Sequence, residues 1–566
     1  MPLKSWTIIA CLALVVGCTD AGRGSTSDNE AGRPVWVESG ATYSPPPLDR
    51  GVQPASGWLE SACELPRDML RRIWLGHFPG RSPELQVVPR EPHLFGSFIG
   101  QTHSGPWDYV QEVPLVFYGP GFIKPTGEIS LDRDVTVADV APTYAELLGV
   151  EPPSDRGHAL NEILVPEADR SGRPRLIVTV VWDGGGNNVL DAWPRSWPNL
   201  ARLIERGAAV RDATVGSSPS VTPAVHTTIG TGTFPDEHGI MGIHQREDDG
   251  DLVAPFPGRQ AGKMIVPTLA DTYDLSTGNA ALVGMIAFKN WHMGMIGHGA
   301  GWPGGDKDIV AIIDQQEDIT GNPDVYELPS YLNRVPGLGA VIRNVDLDDG
   351  ELDSKWMGHE ILDKPAARRD TPVWSLFQTK LIKKLFEREG FGADDVPDLF
   401  YTNYKQLDEI GHEWNMLYPE MKPSLEYLDG ELKNLKLFLD NKVGRNRWVL
   451  VVTADHGQGP LAEAARAWPI QRGHMVDDIA AHFDVAAKEI FEQAIPTGAF
   501  VNRAGLKRSG ITIEEIADFL LTYTIGDNIP PGMDVPDQYK TRLNEPLFAA
   551  AFPSDQRRRI MSCATS

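Results

Sequence analysis

Arg175-Leu-Ile-Val-Thr-Val-Val-Trp182, followed at once by Asp183-Gly-Gly-Gly186, decides the architecture of this chain. A short, uninterrupted run of apolar and β-branched residues has no wet face, so it fits a strand covered on both sides. The glycines after it leave the Asp183 carboxylate unobstructed at the strand's carboxyl end, where open α/β sheets bind their ligands. By itself, Asp183 suits a helix or turn cap equally well.

Working outward, Trp197 to Gly207 predicts a helix with a glycine stop. Val113-Pro-Leu-Val-Phe-Tyr118 and Arg447-Trp-Val-Leu-Val-Val-Thr453 predict two more buried strands, each feeding a loop that carries Gly, Asp or His. Strands alternating with helices predict an α/β fold, with a mostly parallel central sheet flanked by helices on both faces. We expect one catalytic α/β domain over 61–566, with the polar, proline- and glycine-bearing stretch 306–370 as an irregular insertion.

The chain has 566 residues, of which 41% are hydrophobic and 23% charged, an ordinary globular balance. Its formal net charge of -25 would repel polyphosphate backbones, so a nucleic-acid scaffold is not an expected partner. A small anionic substrate would need positive charge supplied inside the site, and metal ions are a ready source.

Lys4 and the apolar run Trp6 to Val16 precede Val15-Val16-Gly17-Cys18, too short to span a bilayer as a mature helix. The segment 1–18 resembles a bacterial lipoprotein signal, which implies export to the periplasm or cell surface. Cys18 would be lipidated, and the lipid would be the sole membrane attachment. A plain secretory signal is the alternative. Residues 19–60, rich in Gly, Ser, Pro and acidic side chains at their start, predict a flexible tether. With Cys18 acylated, Cys63 and Cys563 remain, either as one disulfide joining the ends of the body or as two thiols. Closing so long a loop would contribute roughly 4–5 kcal/mol by chain-entropy arguments.

Three further motifs carry chemistry. In Thr453-Ala-Asp455-His456-Gly457 a carboxylate and an imidazole stand together at a strand end and can reach one metal, or form a turn with a solvent-facing His. In Leu407-Asp408-Glu-Ile-Gly-His412 an Asp and a His four apart share one face of a helix, suited to a metal or to an exposed turn. Ser217-Ser-Pro-Ser-Val-Thr222-Pro-Ala-Val-His226-Thr-Thr-Ile-Gly-Thr-Gly232, then Phe234-Pro-Asp-Glu-His238-Gly-Ile240, offers hydroxyls at a predicted helix start. There the helix dipole and free N–H groups favour developing negative charge. His226 and His238 are expected to be structural.

Together these motifs resemble the type I phosphodiesterase/nucleotide pyrophosphatase branch of the alkaline phosphatase superfamily. The likeness is good over 175–240 and 400–460 and poor between them. It implies a metal-dependent hydrolase of small phosphate esters, with Thr222 as nucleophile and two divalent ions. One ion would be held by Asp183, Thr222, Asp455 and His456, the other by Asp408, His412 and one further His. Nitrogen and oxygen ligands without thiolate suit Zn²⁺, with Mn²⁺ or Fe accommodated by the same set.

The further His departs from the family pattern, which places it late in the chain. Here Gly100-Gln-Thr-His103, ahead of Val113–Tyr118 and Val137-Ala-Asp-Val-Ala-Pro-Thr-Tyr-Ala-Glu-Leu-Leu-Gly149, resembles the usual C-terminal block. This implies a circular permutation, with segment 85–165 supplying His103 and His474 as the rival ligand. A second departure is Met241-Gly-Ile-His244, where relatives often carry an Asn that contacts phosphate. Lys289 fits a phosphate-gripping position of phosphomonoesterase relatives, but Trp291 stands where their Arg would be. A phosphomonoesterase is therefore the near alternative, and a non-catalytic surface lipoprotein the distant one. A sulfatase is disfavoured because Cys63-Glu-Leu-Pro-Arg67 has the wrong spacing.

Overall fold

The computed structural model describes residues 35–46 and 57–564. The expected signal segment 1–18, with Cys18, and most of the expected tether lie outside the described residues. Where the tether span is described, it is attached to the body. Val35–Glu38 forms a short helix, Trp36, Ala41 and Tyr43 pack against the main core, and Trp58–Glu64 is helical.

Nine strands form the central sheet: β1 (Leu115–Tyr118), β2 (Gly127–Ile129), β3 (Leu176–Trp182), β4 (Ala208–Val210), β5 (Val283–Phe288), β6 (Ile309–Ile313), β7 (Ile319–Thr320), β8 (Asp398–Tyr404) and β9 (Trp448–Thr453). Their order is β7-β6-β5-β8-β3-β9-β1-β4-β2. From β6 through β9 every neighbouring pair is parallel, and the antiparallel pairs lie outside this block, at β6–β7, β9–β1 and β1–β4. β8, β3 and β9 are adjacent and in register, with Tyr404 opposite Trp182 and Thr453 opposite Val181. Three parallel strands ending level deliver the residues that follow them to one place.

Period-two alternation along β3 explains why the sheet needs cover on both sides. Leu176, Val178, Val180 and Trp182 enter one core cluster, together with Phe377, Leu381 and Leu385 of a helix. Ile177 and Val181 enter the other, with Ala141, Tyr144, Val225 and Ile229. The helices that matter below are α1 (Pro198–Arg206), α2 (Thr222–Thr231), α3 (Val373–Glu389) and α4 (Gln406–Trp414). The expected α/β architecture is thus the observed one.

The stretch 306–370 differs from its expectation. Ile309–Ile313 is fully buried and pairs in parallel with β5, so this part of the supposed insertion is a core strand. The polar residues around it masked a five-residue apolar run. The remainder holds the edge strand β7, with short helices and turns packed through Leu332, Val345, Trp356 and Leu362.

A separate antiparallel sheet, in the order Phe491–Ile495, Gly498–Val501, Leu85–Pro89, Phe548–Pro553, ties the start of the body to its end. Cys63 and Cys563 are disulfide-bonded beside it, 500 residues apart with Cα atoms separated by 5.4 Å. Replacing both cysteines by serine is expected to cost about 2–5 kcal/mol, chiefly by freeing the unfolded chain. A melting temperature indifferent to that change, and to reductant, would show that the bridge does not hold the ends.

Candidate active site

The site stands at the carboxyl ends of β3, β8 and β9. Asp183 directly follows β3, and the turn behind it needs glycine. Gly184 has φ +69°, and a Cβ there would lie 2.2 Å from Gln458 Nε2 and 3.0 Å from the Asp408 Cα. The missing side chain therefore lets α4 and the Asp455 loop close over the strand end. The Gly184 N–H donates to Asp455 Oδ1 at 3.1 Å. Asp455 and His456 follow β9, and α4 begins just after β8, presenting Asp408 and His412 one turn apart.

Thr222 opens α2, whose residues are all buried, with Pro223 in the first turn. The hydroxyl is thereby fixed at a helix N-terminus and is 3% exposed. Ser220, two residues earlier, is differently employed, since its Oγ donates to the His103 carbonyl at 2.8 Å. His103 comes from the segment ahead of β1, and its Nδ1 donates to the Ser220 carbonyl at 2.9 Å. These reciprocal bonds tie the two loops together and aim His103 Nε2 inward.

The residues singled out from sequence come together. His103 Nε2 lies 3.5 Å and His412 Nε2 3.4 Å from Asp408 Oδ1. His456 Nε2 lies 3.3 Å from Asp455 Oδ2, 3.6 Å from Asp183 Oδ1 and 3.7 Å from Asp408 Oδ1. The His103 and His456 rings stack at 3.4 Å. His412, 42% exposed in its side chain, marks the mouth of the site. His474 is not drawn in: its ring lies 3.5 Å from Asp478 on its own helix.

Burial sets the protonation of this cluster. It pushes His103 down to about 3 and His456 well below its ordinary range, so both imidazoles are neutral at pH 7. With Nδ1 donating to a backbone carbonyl in each, to Ser220 in one and Gly457 in the other, the Nε2 lone pair is the free one. That tautomer is the metal-ligand form. Burial raises the Asp183 carboxyl to about 6 and, with the Asp183 charge, holds Asp455 well above the usual range. Asp408 goes the other way: burial would raise it, but Lys405 and then His412 hold it well below.

Buried Asp408 Oδ1, Asp455 Oδ2 and His456 Nε2 have no hydrogen-bond partner. Orphaned polar atoms cost about 1–3 kcal/mol each, so their convergence calls for a compensating group. Acceptor oxygens and imidazole lone pairs fit a divalent cation. Among the described residues, three clusters with metal-ligand geometry belong to this one site: His103–Asp408–His412, Asp183–Asp408–His456, and Asp183–His226–His292. A fourth, Asp274–Asp306–Asp308, is separate from it.

Several neighbours were not anticipated. Lys405 Nζ donates to Asp183 Oδ1 at 2.8 Å, to Thr222 Oγ1 at 3.3 Å and lies 2.6 Å from Asp408 Oδ2. Asn403 Nδ2 donates to Asp183 Oδ2 at 2.9 Å and to His226 Nε2 at 2.9 Å. His226 Nδ1 donates to the Thr222 carbonyl at 2.8 Å, so this histidine braces the helix start and also lines the site. His292 is fully buried with both ring nitrogens unpartnered, 3.9 Å from Asp183. His238 is structural as expected, between Thr228 Oγ1 at 3.2 Å and the Ile240 N–H at 3.1 Å. Lys289 is ion-paired with Glu409 and lies over the Trp291 ring at 5.2 Å.

Comparison with known proteins gives the family. A family model described as type I phosphodiesterase / nucleotide pyrophosphatase matches residues 177–516. That span contains Asp183, Thr222, Asp408, His412, Asp455 and His456, while His103 lies before it. The chain is 21% identical over 407 residues to alkaline phosphatase PafA of Elizabethkingia meningoseptica, covering 62% of this chain and 73% of that protein. It is 21% identical over 334 residues to alkaline phosphatase PhoV of Synechococcus elongatus, covering 50% of this chain and 59% of PhoV. The crystal structure of wild-type PafA superposes with a TM-score of 0.53 at 17% identity, over 68% of this chain and 85% of that one, a likeness of fold. By the extent of the family match, the chain belongs to the type I phosphodiesterase / nucleotide pyrophosphatase family of the alkaline phosphatase superfamily, and it is a phosphoric ester hydrolase.

Proposed function

We propose that the chain cleaves phosphodiesters or nucleotide pyrophosphates by attack of Thr222 on phosphorus, assisted by two divalent ions. The observation that carries this is the Thr222 hydroxyl at the first residue of α2, bonded to the same Lys405 ammonium as Asp183, whose carboxylate belongs to the converging His and Asp clusters. Asp183, Thr222, Asp455 and His456 would hold one ion and His103, Asp408 and His412 the other, with Zn²⁺ suited to both sets. When bound, the ions supply charge that lowers the pKa of a nearby hydroxyl and offsets charge on phosphoryl oxygens.

The chain's own part is positional. The α2 N-terminus faces the position where negative charge builds on phosphorus. The Thr222 Oγ–P bond forms as the bond to the leaving oxygen breaks. Water then cleaves the phospho-threonine, releasing a phosphomonoester or phosphate and restoring the hydroxyl. PafA and PhoV are alkaline phosphatases, which makes monoester hydrolysis the second activity to assay. Turnover of bis(p-nitrophenyl) phosphate is expected to exceed that of p-nitrophenyl phosphate, and both are expected to vanish with a chelator and return with Zn²⁺. A preparation that hydrolyses neither ester after metal addition would remove the proposal.

We further infer that segment 85–165 stands in circularly permuted order. The pairing of Leu85–Pro89 with Phe548–Pro553 supports this, because neighbouring ends make permutation feasible. The Cys63–Cys563 bridge likewise supports an oxidising compartment and hence export, with Cys18 as lipid anchor. Among the described residues no helix is long and apolar enough to cross a membrane.

A further inference from the structure

The two halves of the site are not equally free. On one side, Asp455 Oδ2 and His456 Nε2 are open, but both Asp183 oxygens are already engaged, Oδ1 by Lys405 and Oδ2 by Asn403, and the Thr222 hydroxyl accepts from Lys405 as well. On the other, Asp408 gives only Oδ2 to Lys405. Its Oδ1 is unpartnered and faces the ring nitrogens of His103 and His412. A single ammonium, 2% exposed, thus sits against the nucleophile and the two carboxylates that link the halves.

We propose that Lys405 is a resident cation of the site, so that the two halves load metal unequally: His103–Asp408–His412 tightly, and Asp183–Thr222–Asp455–His456 weakly. This rests on the two-ion function proposed above. Once metal binding has ionised Asp183, Asp408 and Asp455, the three carboxylates and one ammonium leave two negative charges, which a single dication neutralises. A second ion must enter against that ion and the ammonium, and must share or displace the proton donated to Asp183 Oδ1. Two unit like charges roughly 4 Å apart at an effective dielectric near 20 weaken binding by about three orders of magnitude, and the double charge of the entering ion adds to this, so a gap of at least about tenfold is a lower bound. The ammonium also fixes the direction of the Thr222 hydroxyl, because the oxygen accepts from Lys405 and must donate elsewhere. Lys405 is therefore a positioning residue.

The test is a Zn²⁺ titration of the metal-free full chain, followed by isothermal calorimetry and by competition with a chromophoric chelator. Wild-type protein is expected to bind two ions with dissociation constants at least about tenfold apart. In Lys405→Met the weaker constant is expected to tighten by about tenfold or more, closing the gap, and Lys405→Arg should preserve it. His412→Ala, changed at the exposed mouth of the site, is expected to delete the tight event, and the remaining event should tighten to the extent that the first ion opposed it while still improving further in the double variant with Lys405→Met. Should Lys405→Met fail to fold, Lys405→Gln, which keeps a polar side chain of similar reach without the charge, takes its place in the same titration. Two equally tight events in the wild type, or a gap unmoved in Lys405→Met, would overturn the role of Lys405 while leaving the two-ion function standing. No Zn²⁺ binding at all would instead end the metal-assisted function.

Discussion

Thr222→Ala is expected to lower turnover of every phosphate ester by at least about three orders of magnitude, with the fold intact. The hydroxyl is nearly inaccessible to bulk water and opens a helix whose dipole favours anionic charge. Its removal takes away the attacking atom while deleting very little volume, so the loss should lie in kcat. Thr222→Ser, which keeps the oxygen and loses only a methyl, should recover most of the rate. Nearby Ser220 is a poor substitute because its hydroxyl is committed to the His103 carbonyl. Acid-quenched wild-type reactions should yield a peptide phosphorylated on Thr222, absent from the alanine variant. Undiminished turnover by Thr222→Ala would transfer the nucleophile to Ser220 or to water.

How much of this was legible in the sequence depends on what kind of signal each part leaves. β3 and β9 announce themselves because buried strands have no polar face. The residues directly behind them, Asp183 and Asp455-His456, inherit a position at the sheet's carboxyl edge. Asp408 and His412 are legible through helical spacing, and α4 carries both. Ile309–Ile313 was concealed by its polar flanks, since five apolar residues are ambiguous by periodicity.

Lys405 and Asn403 left no signal of comparable strength. A lysine three residues ahead of an aspartate on a helix ordinarily forms a surface pair. Only the closure of β8 against β3 turns that pair inward and buries the ammonium. Asn403 lies within β8, where alternation says only that it faces one side, and its bonds to Asp183 and His226 follow from what the sheet places opposite. Metal-ligand motifs are local in sequence; charge compensation is a property of the assembled site.

His103→Ala is the second change expected to have a large effect, and it tests the convergence of distant chain segments. His103 precedes β1, which packs antiparallel against β9, the strand that delivers Asp455 and His456. The order of strands, and not nearness in sequence, carries its ring to within 3.5 Å of Asp408, 305 residues later as the numbering runs. If it completes the Asp408–His412 half-site, its loss leaves two protein ligands where three bound the ion. Turnover should then fall by about a hundredfold or more at low metal, with partial rescue by excess Zn²⁺. The tight binding event should weaken in parallel, which a merely structural ring would not produce. His474→Ala supplies the contrast, since that ring faces Asp478 and should leave activity and metal affinity unchanged. The reverse pattern, a silent His103→Ala and a dead His474→Ala, would break the permuted arrangement and move the missing ligand to the late segment of the chain.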